Sequence, residues 1–287
     1  MNKYVIITDS SSDLTREILS DPEVVYLQLD VLMDGEPSRA NCDVDIKDFY
    51  AKLRAKKNAT TSAVNIDKFL DTFDKYLSEG YDVLYLGFSS GLSGTFNAGF
   101  VAAKELSEKY PERKIFAIDT LAASLGEGLL VYHAVNMKNA GADIDSVRDY
   151  IEENKLNLCH WFTVDDLFFL KRGGRINAAT AIVGSMLSIK PVLHVDNKGR
   201  LISVSKARGR KAALDALFDR MKETAIDPEK QIVFISHGDC LEDAQYLADR
   251  IKNELGSPEV KLGYVGPVIG AHSGPGTIAL FYLGTER

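Results

Sequence analysis

The chain has 287 residues, 45% of them apolar and 26% charged, and 34 Lys and Arg against 41 Asp and Glu give a formal charge of −7. This is ordinary globular composition, which excludes a disordered, collagen-like or coiled-coil chain. The acidic balance argues against non-specific nucleic-acid binding, which depends on neutralising phosphates. The length predicts about two domains, with a core that hides roughly three quarters of the unfolded surface.

Residues 4–8 predict a buried strand, ended by Asp9 too early for a signal peptide. The Ser/Asp-rich loop that follows can cap a helix from about Leu14 through Ser12 or Asp13. Residues 24–33 predict a second strand, closed by the turn Asp34-Gly35-Glu36-Pro37. Ile46, Phe49, Tyr50 and Leu53 recur at helical spacing behind a cap at Asp45. Ile66, Phe69, Leu70, Phe73 and Leu77 repeat that pattern between Asn65 and Gly80. A strand over 82–88, a helix over 96–110, a strand over 114–119 and a long helix from about Ser124 to before Gly141 follow. Strands separated by such helices imply crossover connections and a mainly parallel sheet.

The second half has a different rhythm. Residues 188–195 and 201–206 flank Asp196-Asn197-Lys198-Gly199-Arg200, a hairpin signal. A helix over 211–223, a strand over 231–236, a helix over 241–255 and strands near 260–268 and 277–283 complete it. The expected architecture is therefore α/β in two domains. An amino-terminal domain over 1–157 has a mainly parallel sheet with flanking helices. A carboxyl-terminal α+β domain over 158–287 has a mixed or antiparallel sheet with helices.

No uncharged apolar stretch approaches the ~18 residues of a membrane span. Cys42, Cys159 and Cys240 are scattered and read as buried thiols of a reducing, cytoplasmic compartment. The histidines lack ligand spacing, so neither a metal nor another cofactor is expected. Phosphate-loop, dinucleotide-binding and zinc-protease signatures are absent. The nearest approach to a nucleophile elbow, Gly91-Leu92-Ser93-Gly94-Thr95, has Thr where the second glycine belongs.

What remains is a set of hydroxyl- and glycine-rich segments at strand ends. They are Asp9-Ser10-Ser11-Ser12-Asp13-Leu14, Thr60-Thr61-Ser62 and Ser89-Ser90-Gly91-Leu92-Ser93-Gly94-Thr95. Loops at the carboxyl edge of a parallel sheet meet where ligands bind, and helix amino termini there suit an anion. Such loops also serve simply as caps, but two glycines and four hydroxyls in 89–95 exceed what capping needs. Further on, Arg172-Gly173-Gly174-Arg175-Ile176 sets a double glycine between two fork-shaped donors. Gly266-Pro267-Val268-Ile269-Gly270-Ala271-His272-Ser273-Gly274-Pro275-Gly276-Thr277 is too rich in Gly and Pro for a plain strand and carries one histidine.

In this order, these segments resemble the DegV family of bacterial fatty-acid-binding proteins, together with the strand end Asp119-Thr120 and Ser124. The resemblance runs from residue 9 to residue 277. It implies a long-chain fatty acid in an apolar tunnel, with its carboxylate held by Thr61 or Ser62, by Ser93 with the neighbouring Gly94 and Thr95, and by His272 with Ser273. It places Arg175 near the head group. It also implies a separate kinase that phosphorylates the carboxylate with ATP, so this chain would be a carrier rather than an enzyme. Ala63-Val64-Asn65 replaces the Gln-Pro-Ser often found in the family, and Ser273 stands where Thr is common.

A sixteen-carbon chain buries about fifteen methylene or methyl groups at ~0.8 kcal/mol each, roughly 12 kcal/mol gross. An unpartnered carboxylate would offset much of that, so the head needs several donors. Phe168, Phe169, Ile182, Met186 and Ile189 are candidates for the tunnel wall. Lys206, Arg208 and Arg210, with Lys211, form a candidate docking patch for an acidic partner. No membrane span is expected, only transient contact with a membrane. Two rival readings are a serine hydrolase using Ser93 and His272 on acyl esters, and a binding module for a small phosphorylated metabolite.

Overall fold

The computed structural model describes residues 3–176 and 189–287. Strands β1 (Tyr4–Asp9) and β6 (Asp82–Gly87) are buried at every position. Their near-continuous apolar runs are what a strand covered on both faces requires. With β2 (Val25–Leu27) and β7 (Ile115–Asp119) they form a parallel sheet in the order β2-β1-β6-β7. A small antiparallel sheet, β4-β3-β5, joins β3 (Asp30–Met33), β4 (Arg39–Ala40) and β5 (Ala59–Ser62).

The helices α1 (Ile46–Arg54), α2 (Ile66–Ser78) and α3 (Thr95–Lys109) follow the expected periodicity. Asp45 and Asn65 cap α1 and α2, their side chains accepting from the N–H groups of Asp48 and Lys68. Next come α4 (Leu125–Asn139) and α5 (Ile144–Asn154). Helix α4 is apolar nearly all round because it lies between two sheets. Leu84 and Leu86 of the parallel sheet and Phe162, Phe234 and Phe281 of the second sheet share its core.

That second sheet has the order β10-β9-β8-β13-β11-β12. It is built from β8 (Leu158–Thr163), β9 (Ile189–Val195), β10 (Leu201–Arg208), β11 (Ile232–His237), β12 (Glu259–Tyr264) and β13 (Ile278–Leu283). Only the β11–β12 pairing is parallel. The other pairings, including the expected β9–β10 hairpin, are antiparallel. The short α6 (Phe168–Arg172) precedes this hairpin. Helices α7 (Arg210–Thr224) and α8 (Leu241–Arg250) cover the outer face, and α9 (Pro267–Ser273) closes onto the amino-terminal half. The fold is thus a two-region α/β architecture, parallel first and mixed second. Among the described residues no helix is long and apolar enough to cross a membrane.

Three local expectations fail for physical reasons. The strand expected over 24–33 splits between two sheets at Gln28 and Leu29, where the Leu29 N–H donates to Ser10 Oγ at 3.0 Å instead of to a neighbouring strand. The helix expected from Leu14 is absent. Asp9 caps a single 3-10 turn, Ser10–Ser12, and Asp13 leaves it in the left-handed region at φ 52°. The Gly/Pro segment after Gly266 folds as α9, with Pro267 in the first turn, where its fixed φ fits and its missing N–H costs nothing. Of the three cysteines expected to be buried, Cys159 is; Cys42 is exposed and Cys240 half-buried.

Candidate ligand-binding site

Asp9 organises the carboxyl edge of the parallel sheet. Its carboxylate accepts from the N–H groups of Phe88 and Ser11 at 3.0 and 3.1 Å and from the Tyr85 hydroxyl at 3.0 Å. The loop after β6 is thereby tied to the end of β1. At its far side Ser89 Oγ donates to Gly199 O at 2.8 Å, binding this loop to the β9–β10 hairpin. A Cβ on Gly91 would lie 2.6 Å from Lys198 O, so glycine is needed for that approach. Ser93 then accepts from the Thr95 N–H at 3.2 Å and bonds the Thr95 hydroxyl at 2.9 Å, turning the chain into α3.

Opposite this loop, β5 pairs with β3 so that Thr61 faces Val31 and Ser62 faces Asp30. Alternation turns Thr61 inward, where its Oγ1 lies 2.8 Å from His272 Nε2. Ser62 is exposed and does not reach the cavity. The segment read as a loop is a strand, and of its two hydroxyls only that of Thr61 lines the cavity. His272 sits in the last turn of α9. A Cβ on Gly173 would lie 2.3 Å from its Nδ1, so the double glycine lets that backbone press against the ring. Arg175 is held by two backbone carbonyls: its Nε donates to Leu92 O at 3.2 Å and its Nη1 to Gly173 O.

Thr61, Ser93, Gly94, Arg175, His272 and Ser273 line one cavity of about 140 Å³. Thr95 is fully buried behind Ser93 and does not line it. The rest of the wall is mainly carbon, including Leu29, Phe88, Phe162, Leu170, Val265 and Val268. None of the expected tunnel residues that can be placed belongs to it. Phe168 is 57% exposed, Phe169 packs against Gly274, and Ile189 pairs with Arg208 at the sheet edge. Ile182 and Met186 lie outside the described residues.

Electrostatics favour an anion at the polar end. Burial, reinforced by the nearby charges of Arg175 and Arg172, pushes the His272 pKa down to about 4, so its ring is neutral at pH 7. Desolvation also lowers the Arg175 pKa from its usual value, but the guanidinium stays charged. Among the described residues it forms no salt bridge with an acidic side chain. A half-buried, uncompensated cation beside a neutral imidazole and two hydroxyls can hold one carboxylate. Ser93 and His272 share the cavity, but the hydrogen-bond partner of His272 Nε2 is the Thr61 hydroxyl. Among the described residues no group of three or more His, Cys, Asp and Glu could hold a metal ion.

A family model described as "Uncharacterised protein, DegV family" matches residues 3–285. The chain belongs to the DegV family. A DegV domain-containing protein of Clostridium perfringens is 46% identical over 289 residues, covering 100% of this chain and 99% of the relative. One from Streptococcus pyogenes is 34% identical over 287 residues, covering 98% of each. Among solved structures, a fatty-acid-binding DegV family protein from Thermus thermophilus is 29% identical, with a TM-score of 0.89 over 99% of this chain and 100% of that one. A DegV lipid-binding protein from Thermotoga maritima is also 29% identical, with a TM-score of 0.86 over 99% of each chain. DegV of Bacillus subtilis, described as a fatty-acid-binding protein, is 26% identical, with a TM-score of 0.85 over 99% and 100%.

The docking patch divides. Lys206 and Arg208 are exposed on the edge strand β10. Arg210 is instead a tie inside the fold, its Nε donating to Asp243 at 2.9 Å with Asp165 at 3.6 Å from Nη1. Four polar residues of the cavity wall escaped the sequence reading as ligand contacts: Ser124, His160, Ser236 and Thr277. Ser236 and His160 each interrupt an apolar alternation within a strand, and that signal could have marked them.

Proposed function

We propose that this protein binds a long-chain fatty acid, with the tail in the apolar cavity and the carboxylate at Arg175, His272, Thr61 and Ser93. The observation that carries this reading is the uncompensated Arg175 guanidinium at the polar end of a cavity otherwise walled by carbon. Relatives described as binding fatty acids or lipid support it, since they share this fold over nearly their whole length. Tail burial supplies most of the affinity, and the donors set orientation and chemical class. Native mass spectrometry of protein purified from cells tests the reading. A co-purifying C14–C20 acid is expected, and a phosphorylated metabolite in its place would overturn it.

The bound acid is presented to a separate ATP-dependent kinase in the cytoplasm, a setting that the three free thiols suit. A carboxylate oxygen attacks the γ-phosphorus, the bond to the bridging oxygen breaks, and ADP leaves with an acyl phosphate formed. Neutral His272 orients the attacking oxygen without competing for its charge. The variant His272→Ala is expected to keep much of the lipid affinity and to lose acyl-phosphate formation with the cognate kinase. An equal yield from variant and parent would remove His272 from that role.

A further inference from the structure

The Thr61–His272 contact spans 211 residues of chain, with one partner on the strand β5 and the other in the last turn of α9. Its geometry depends on how those two elements are held against each other. The end of α9 also leaves a backbone group to satisfy. Ala271 O would accept from the N–H four residues on, but that residue is Pro275, which has none. Ala271 is 1% exposed, and a buried carbonyl needs a partner.

Arg172, the last residue of α6, meets both needs. Its Nη2 donates to Ala271 O at 3.3 Å, and its Nη1 donates to Asn58 Oδ1 at 2.5 Å. Asn58 leads into β5 and is itself fixed to the turn after β3, its Nδ2 and N–H donating to Asp34 at 2.9 and 3.1 Å. The guanidinium carbon lies 5.0 Å from the Phe169 ring centroid, and a Cβ on Gly274, just past α9, would lie 2.5 Å from that ring. One side chain thus ties the residue before His272 to the residue three before Thr61. Unlike Arg175, Arg172 does not line the cavity.

We propose that Arg172 is the positioning residue of the head-group site: its planar fork bridges the strand that carries Thr61 and the helix that carries His272, and so sets the two side chains at the spacing one carboxylate needs. This rests on the fatty-acid reading above. Hydrogen bonds weaken steeply as angle and distance depart from their optimum, so a shift between β5 and α9 costs the carboxylate its partners. A lysine would keep the charge but not two donors fixed in one plane, so it cannot bridge the same two acceptors.

Palmitate binding to Arg172→Lys, made in the parent protein and in a Thr61→Ala/His272→Ala background, tests the assignment. Tail burial keeps binding measurable in that background. In the parent, Arg172→Lys is expected to weaken palmitate about fivefold to tenfold, as loss of one net hydrogen bond does. In the background the same substitution should change affinity by a factor of about one, because nothing remains to be positioned. Full affinity of Arg172→Lys in the parent overturns the proposal, since charge alone would then suffice. An equal loss in parent and background overturns it too, as the mark of a merely structural role. Asn58→Ala removes one acceptor and keeps the arginine; it is expected to weaken palmitate about threefold in the parent and not in the background. It decides the matter if Arg172→Lys does not fold, and unchanged binding there overturns the proposal. Failure of the parent protein itself to bind palmitate would instead overturn the fatty-acid reading.

Discussion

Thr61 and Ser62 are neighbours in sequence with nearly the same chemistry, yet only Thr61 meets His272. The pairing of β5 with β3 makes the difference, because a strand sends consecutive side chains to opposite faces. A hydroxyl that helps hold a carboxylate contributes about 1 kcal/mol net, which is roughly fivefold in affinity. Thr61→Ala is therefore expected to weaken fatty-acid binding about fivefold in a displacement titration, whereas Ser62→Ala leaves it unchanged. An equal loss in both variants would mean that the strand does not keep this register in solution. The Thr-Ser pair was visible in the sequence as a candidate. Its handedness was not, because a four-residue strand shows no period until its partner is known.

Elements differ in how far local sequence determines them. Helices α1, α2 and α3 were legible because each has an apolar stripe and a polar face, and Asp45 and Asn65 start the first two as caps. Helix α9 was illegible because close packing stabilises it, not propensity. A Cβ on Gly270 would lie 2.7 Å from the Tyr50 hydroxyl, so the glycines that argue against a helix are what let this one dock. The start of α7 gives the same lesson in charge. Lys206, Arg208 and Arg210 read as one basic patch, but Arg210 ties α7 to α8 and the segment before α6 through Asp243 and Asp165. Breaking a charge-assisted tie of this kind costs about 1–3 kcal/mol. Arg210→Glu is expected to lower the midpoint of thermal unfolding clearly. Arg208→Glu should leave that midpoint in place and, if the proposed kinase docks on β10, weaken acyl-phosphate formation with it. A stability loss from Arg208→Glu comparable to that of Arg210→Glu would show the exposed cation to be structural as well.

At the scale of the molecule, the alternation of strands and helices gave the two-region architecture, but the cavity between the regions could not be read from either half. Its wall takes Thr61 and Ser93 from the first region and Phe162, Ser236 and His272 from the second, so the relevant spacing runs through space. The same junction buries three carboxyl groups, Asp9, Asp13 and Glu127, whose pKa values are all raised chiefly by desolvation. For Asp13 the value rises to about 7, with the Ser124 hydrogen bond opposing the shift only in part. The folded state therefore holds the Asp13 proton that an unfolded chain releases near pH 4. Below that pH the group adds its full stabilisation. As pH climbs toward 7 the unfolded state gains by ionising, and the stabilisation is lost at about 1.4 kcal/mol per unit, up to ~4 kcal/mol in all. Asp13→Asn keeps an oxygen to accept from Ser124 and removes the ionisation. The difference between variant and parent carries the Asp13 ionisation together with its coupling to Asp9 and Glu127, whose charges oppose its own. Urea unfolding of both proteins between pH 5 and pH 8 should show the variant gaining on the parent up to about pH 7 and the difference levelling off above it. Parallel curves would mean that Asp13 is already charged in the fold, with its burial compensated at the cleft beside Gly266 and Asn41.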